Sequence, residues 1–323
     1  MSRKSFMYSV LEAVQYEMRQ DKDMLWIFEL TPPVASTPGK PVINLEKEFG
    51  RGRVVNTGID EMWMAGCTLG AGLAGSKAVT YIPYQGNGMC FQMIQNHAGK
   101  LRSMTGGVAS MPIVFIIEMT GQTPGFAGQH SDYEVDTYYA HIPGVKTVIP
   151  STPSDAKGMM TAAIRDPNPV VFLWADGLRE VMEDVPDESY ERPLDKAVLR
   201  TTGSDITIVG SGASMPVIMS ATEKLQKQGM KVDAIDLRSL KPIDTETLVK
   251  SVQKTKHLLT VDQSYYTLCP GAEVIARVAE NVNGARFKRV AFPDAPPPAA
   301  PEMFVWMRPN ADHVVAAAKK LVG

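Results

Sequence analysis

Two side chains in this sequence have the type and setting for proton chemistry. Glu61 follows Asp60 near the start of the run Asn56–Gly75 (NTGIDEMWMAGCTLGAGLAG), in which Gly66, Gly70 and Ala74 recur at every fourth position. That spacing puts the three on one helix face, leaves the face almost bare backbone and lets another helix come close. An acid in a first helical turn also complements the helix N-terminus. The stretch taken alone therefore leaves Glu61 either a dipole partner or a reacting carboxyl. His130 closes the Gly/Pro run Thr120–His130 (TGQTPGFAGQH). Such loops run over the surface, yet carry function when a rigid strand aims them. Imidazole changes charge near neutral pH, so a histidine held in a cleft shuttles protons, whereas a solvated one does nothing. His97 and His141 fall in or beside helical patterns and read as structural.

Other chemistries lack their residues. There is no Ser/His/Asp set, no GxSxG elbow and no cluster at zinc-ligand spacing. Cys67, Cys90 and Cys269 are far apart, with no CxxC pair, and read as core thiols in a reducing compartment. Val209-Gly210-Ser211-Gly212 begins like a dinucleotide fingerprint. Met215 stands where the third glycine belongs, so the segment reads as a tight strand-to-helix turn.

Placing Glu61 and His130 requires a scaffold, and the chain has material for two domains: 323 residues, 44% hydrophobic and 21% charged. A net charge of −2 gives no pull toward nucleic acid or an anionic membrane. The start MSRKSFMYSV lacks a signal-peptide core, and the most apolar long stretch, Met62–Ile82, is interrupted by Lys77. The reading is cytoplasmic. Helical spacing marks Ser5–Arg19, and short apolar runs mark strands at Met24–Leu30, Val54-Val55, Ala78–Ile82, Pro112–Glu118, Val145–Ile149 and Val170–Trp174. Thr31–Pro41 reads as a loop, and Met89–Met104 and Ser154–Ile164 as helices. This alternation predicts an α/β fold with a mainly parallel sheet covered by helices. Glu183–Ser204, acidic and then polar with Pro186 and Pro193, breaks the pattern. We place the first domain at 1–190, a linker at 191–204 and a second domain at 205–323. In the second, strands at Ile206–Val209, Lys231–Asp236, His257–Asp262 and Phe287–Ala291 alternate with helices, the last at Ala311–Leu321.

Several long motifs occur in order along the chain: IDEMWMAG with GAGLAG, NHAGKLRSMTGG, GQHSD, AHIPGVKTVIPSTPSDAKGMMTAAIRDPNPVVF, IDLRSLKPIDTETL and PGAEVIARVAE. Together they resemble the β subunit of the thiamine-diphosphate-dependent 2-oxoacid dehydrogenases, over roughly residues 3 to 322. The resemblance implies a pyrimidine-binding domain and a smaller transketolase C-terminal-like domain, in an α2β2 heterotetramer with the cofactor at α/β interfaces. It implies an oxidoreductase subunit that cleaves a 2-oxoacid or related ketone and passes the acyl group to a lipoyl-bearing acyltransferase. It assigns Glu61 to the ring nitrogen N1′ of the aminopyrimidine, His130 to proton transfer during acyl transfer, and Tyr84 to packing on the pyrimidine. In some members, backbone carbonyls matching Ala163, Ile164, Asp166 and Asn168 hold a potassium ion; a plain turn at Asp166-Pro167 is the other reading. The Gly-Asp-Gly magnesium motif of thiamine enzymes is matched only by Ala175-Asp176-Gly177, with no asparagine following before Asn281. Magnesium and the diphosphate therefore fall to an α partner. Phe28-Glu29-Leu30 replaces the usual Gly-Glu-Asp, Tyr84-Gln85-Gly86-Asn87 replaces a Phe-Ala-Asp-aromatic segment, and Glu118 lies near the place of a common arginine. Two alternatives stand: the C-terminal half of a split transketolase, which would need basic contacts for sugar phosphates, and a non-catalytic assembly subunit.

Overall fold

The computed structural model describes residues 1–30, 33–83, 86–119 and 135–323, the side chains of Asn87 and Asp176 excepted. Tyr84 and His130 lie outside the described residues. The chain forms two compact units, Met1–Thr120 with Tyr139–Leu194, and Gly121–Tyr138 with Asp195–Gly323.

The first unit opens with β1 (Ser2–Ser5) and α1 (Phe6–Gln20), where Ser5 caps the helix by accepting the Tyr8 N–H at 3.2 Å. There follow β2 (Leu25–Phe28), β3 (Val34–Ala35), β4 (Ile43–Asn44), α2 (Leu45–Phe49), β5 (Val54–Asn56), α3 (Glu61–Leu73) and β6 (Ala78–Ile82). Next come α4 (Gly86–Gln92), a π-helical turn at Met93–Ala98, α5 (Gly99–Met104) and β7 (Ile113–Met119). After α6 (Val135–Ala140) the unit resumes with β8 (Lys146–Val148), α7 (Pro153–Arg165), β9 (Val170–Ala175) and β10 (Met182–Val185). Its parallel strands run in the order β8-β9-β7-β6-β2-β5. Every residue of β7 and β9 is buried, as the unbroken apolar runs anticipate.

Side-chain alternation sorts the two faces. A Cβ on Gly72 of α3 would lie 2.9 Å from the Ile113 side chain, so α3 covers the odd-numbered face of β7. Glu118, an even position, lies on the other face with Trp174, whose ring is 5.5 Å from that of Phe6 in α1. Here α1 and α7 pack together. A buried charge network ties them to the antiparallel pair β1–β10. Lys4 Nζ donates to Glu12 at 2.7 and 2.9 Å and to the Pro186 carbonyl at 3.2 Å. Lys157 Nζ pairs with the same Glu12 at 2.8 Å and donates to the carbonyls of Pro186 and Asp187 at 2.7 and 3.1 Å. Both lysines are at most 2% exposed, so these oxygens replace the hydration they lose.

The second unit comprises β11 (Val198–Thr201), β12 (Ile206–Gly210), α8 (Ser214–Gln226), β13 (Val232–Asp236), β14 (Ser239–Lys241), α9 (Thr245–Thr255) and β15 (His257–Tyr265). It closes with α10 (Pro270–Ala279), β16 (Arg286–Phe292), α11 (Pro301–Met307) and α12 (Ala311–Val322). A five-stranded sheet runs β11-β13-β12-β15-β16, antiparallel only at β11. Ile208, Ile218, Leu259 and Val314 belong to the core joining it to α8 and α12. At Ser211-Gly212 the Ser214 hydroxyl accepts the Ser211 N–H at 2.9 Å and donates to its carbonyl at 2.8 Å, a closed turn with no dinucleotide geometry required.

Differences from the sequence reading are local. The loop Thr31–Pro41 contains β3, paired with β4. The stretch Glu183–Ser204 contains most of β10 and all of β11. The helix expected over Met89–Met104 is three pieces joined by the π turn. No helix among the described residues is long and apolar enough to cross a membrane.

Candidate functional site

Glu61 is the first residue of α3, and the backbone before it is locked by short-range polar contacts. The Asn56 side chain accepts the Gly58 N–H at 2.9 Å, with Gly58 at φ +73, and the Thr57 N–H donates to the Phe28 carbonyl at 3.0 Å. Asp60 caps the helix, its carboxylate accepting the Trp63 N–H at 2.9 Å. Glu61 itself is half-buried, at the positive end of the α3 dipole.

Because β2 lies beside β5 in the sheet, Glu29, just past the end of β2, comes next to this helix start. Its side chain is 2% exposed. Burial above all, and then the charge of Glu61, pushes its carboxyl up to about 7, against the pull of a hydrogen bond from the Asp60 backbone. Its Oε2 is buried with no hydrogen-bond partner among the described residues. A buried carboxyl lacking a donor is the kind of atom that a ligand completes. The two acids stand beyond the carboxyl ends of parallel strands, the position where sheets of this type bind ligands. Sequence reading took Phe28-Glu29 only as a departure from a motif. The available signal was the acid at a strand end, and the strand order that brings it to Glu61 is not visible in sequence.

The bare face of α3 is real and points away from the sheet. A Cβ at Gly66 or Gly70 meets nothing within 4 Å among the described residues, and Met62, Trp63 and Leu73 beside it are 43, 51 and 64% exposed. The close internal approach is made instead by Gly72, whose added Cβ would come 2.6 Å from Met111 Cγ.

Glu118 lies on the face of β7 away from α3, where it accepts the Tyr81 hydroxyl at 2.5 Å and faces Arg179 at 3.8 Å. The turn carrying Ala163, Ile164, Asp166 and Asn168 is largely self-satisfied. The Ala163 carbonyl accepts the Asp166 N–H at 3.3 Å, Asp166 accepts the Asn168 N–H at 2.9 Å, and Lys146 forms a salt bridge with Asp166. Asn168 Oδ1 is buried without a partner among the described residues. His97 and His141 are exposed. Cys90 and Cys269 are buried and Cys67 is half-buried, all as free thiols.

The family described as "Transketolase, pyrimidine binding domain" matches residues 9–178, and "Transketolase, C-terminal domain" matches 195–314. The chain is 36% identical over 315 residues to "Pyruvate dehydrogenase E1 component subunit beta" of Rhizobium meliloti (strain 1021), covering 95% of this chain and 67% of that protein. It is 32% identical over 333 residues to "Acetoin:2,6-dichlorophenolindophenol oxidoreductase subunit beta" of Cupriavidus necator, covering 99% and 98%. Among solved structures, "Split gene transketolase, inactive beta4 tetramer" superposes with a TM-score of 0.79 at 19% identity over 98% of each chain, a likeness of fold.

Proposed function

The chain belongs to the transketolase-type β subunits of the 2-oxoacid dehydrogenases, and on that premise we propose that Glu61, beside the buried Glu29, forms the pyrimidine half of a thiamine diphosphate site. A subunit of this family serves the oxidative decarboxylation of a 2-oxoacid, or cleavage of a related ketone, with transfer of the acyl group to a lipoyl acceptor. The observation that carries the site assignment is the carboxyl pair at the strand ends, one member half-buried at a helix N-terminus and the other buried with an open oxygen.

When bound, thiamine diphosphate supplies a thiazolium carbon acidic enough to add to a carbonyl. The chain's own residues hold and move protons around it. Glu61 hydrogen-bonds the ring nitrogen N1′ and exchanges a proton there. Glu29, uncharged over much of the range below pH 7, keeps a second negative charge away from Glu61 and offers it a neutral neighbour. The family resemblance supports two further roles: Tyr84 would contact the pyrimidine, and His130 would move protons during transfer to the lipoyl group. Magnesium and the diphosphate are held by an α partner in an α2β2 assembly, since the Ala175-Asp176-Gly177 turn lacks the glycine that the motif requires. The exposed Gly66/Gly70 face of α3 is the surface we assign to that partner's helix. At the Asp166 turn Lys146 already supplies a cation, so no role is assigned to potassium.

The test is reconstitution. Alone, the chain should show no magnesium-dependent binding of thiamine diphosphate by calorimetry. With an α partner carrying the Gly-Asp-Gly motif, binding should appear, together with carbon dioxide release from 2-oxoacids or reduction of an artificial acceptor by acetoin. Tight magnesium-dependent binding by this chain alone would overturn the split-site assignment.

A further inference from the structure

Two carboxyl groups that this chemistry does not use are buried together in the second unit. Asp136, in the first turn of α6, is 5% exposed, and Asp262, on β15, is 8% exposed. Asp136 Oδ1 accepts the Ser264 hydroxyl at 2.9 Å and the Thr137 N–H at 2.7 Å, while the Thr137 hydroxyl donates to the Leu268 carbonyl at 3.2 Å. Asp262 Oδ1 accepts the Gly271 N–H at 3.0 Å, and its Oδ2 is buried with no hydrogen-bond partner among the described residues, the Thr260 hydroxyl and the Cys269 thiol lying beside this carboxyl. An ionised carboxylate has about four acceptor sites to fill. The donors present offset only part of what burial costs the two charges.

We propose that Asp136 and Asp262 act as a proton-dependent latch that docks the start of α6 on β15 and loosens as the pH rises to neutrality. The charged and titratable groups facing the pair are the two acids themselves, the Cys269 thiol and Arg289. Arg289 donates to the Tyr266 carbonyl at 2.8 Å, stacks 3.9 Å from the centre of its ring and reaches Cys269 Sγ at 3.8 Å, and its pull on Asp262 is smaller than the push of burial. Burial is the largest influence on both acids. It pushes Asp262 up to about 6, and, with the charge of Asp262 added, pushes Asp136 up to about 7. The pair thus ionises in sequence, the second proton leaving against an existing charge. Both folded values lie above the ordinary carboxylate range, so protonation favours the docked form. The stabilisation is whole at low pH and is lost as pH climbs through about 6 and then about 7.

Hydrogen exchange on the full chain tests it without any activity readout. At pH 5.5 and 7.5, with intrinsic exchange rates divided out, the opening constant of the α6 and β15 amides should rise by at least about tenfold at the higher pH. Asp136→Asn keeps the oxygen that accepts from Ser264 and should remove most of that rise; Asp262→Asn should do the same through the other partner. Protection independent of pH in the wild type overturns the latch. So does an undiminished rise in Asp136→Asn or, if that variant does not fold, in Asp262→Asn.

Discussion

Glu29→Gln isolates the carboxyl that the fold hides beside Glu61. The wild-type group is lifted from an ordinary 4.5 to about 7, chiefly by burial and then by the charge of Glu61. At about 1.4 kcal/mol per pH unit, that difference corresponds to about 3 kcal/mol of stability held by the protonated form. Because the folded value is raised, the contribution is full below pH 4.5 and is lost as pH rises through about 7. Most of the loss, about 2 kcal/mol, falls between pH 5 and 8. Glutamine is neutral at every pH, and its amide oxygen can still accept the Asp60 N–H, so the variant should lack this part of the pH slope. The assay is urea unfolding of wild type and variant at pH 5 and 8, followed by tryptophan fluorescence; Trp26, Trp63 and Trp174 all report on this unit. Taking the wild-type change minus the variant change removes the other titrating groups. A variant that loses as much stability as the wild type over this range refutes the claim that Glu29 is buried and largely protonated.

Glu61→Gln should leave folding and assembly with an α partner intact while turnover falls by roughly two to four decades, the usual loss for a positioned acid–base group; near-normal turnover would remove Glu61 from the chemistry and favour an assembly subunit. Two glycine substitutions should behave oppositely. Gly144 sits at φ +82 with the Gly99 carbonyl oxygen 2.0 Å from where a Cβ would stand, so Gly144→Ala should destabilise the chain by more than about 2 kcal/mol in a thermal melt. Gly66→Ala meets nothing within 4 Å and should leave the melt unchanged or slightly raised, yet weaken association with the α partner in sedimentation. Unimpaired association would show that the bare face is not the contact.

Apolar runs revealed the sheet because both its faces are buried: Ala78–Ile82 is a strand in sequence and structure alike, and β7 differs from its expectation by one residue at each end. The helix start at Glu61 is legible from Asp60 and the small-residue repeat, whereas the role proposed for its carboxyl comes from the family resemblance. Glu29 was not legible, since its value as a neighbour arises from the β6-β2-β5 strand order, a nonlocal property. Glu118 shows a related limit: sequence places it near a strand end, and one residue of alternation turns it toward Tyr81. The short strands β10 and β11 were hidden in a polar stretch with prolines, where pairing at a sheet edge leaves little apolar pattern. The π turn at Met93–Ala98 leaves no mark in helical periodicity.

The network that ties β1 to β10 also sets a clock for synthesis. Lys4 is made some 180 residues ahead of the Pro186 carbonyl that it shares with Lys157. At about 5–20 residues per second that interval is roughly 10–40 s, during which two ammonium groups destined for burial have only Glu12 to share. The nascent N-terminal unit must therefore stay open along its β1 edge, with Lys4 hydrated, until β10 arrives. A chain released before residue 187 would keep that edge exposed, available to chaperones and to pairing with other unfinished chains.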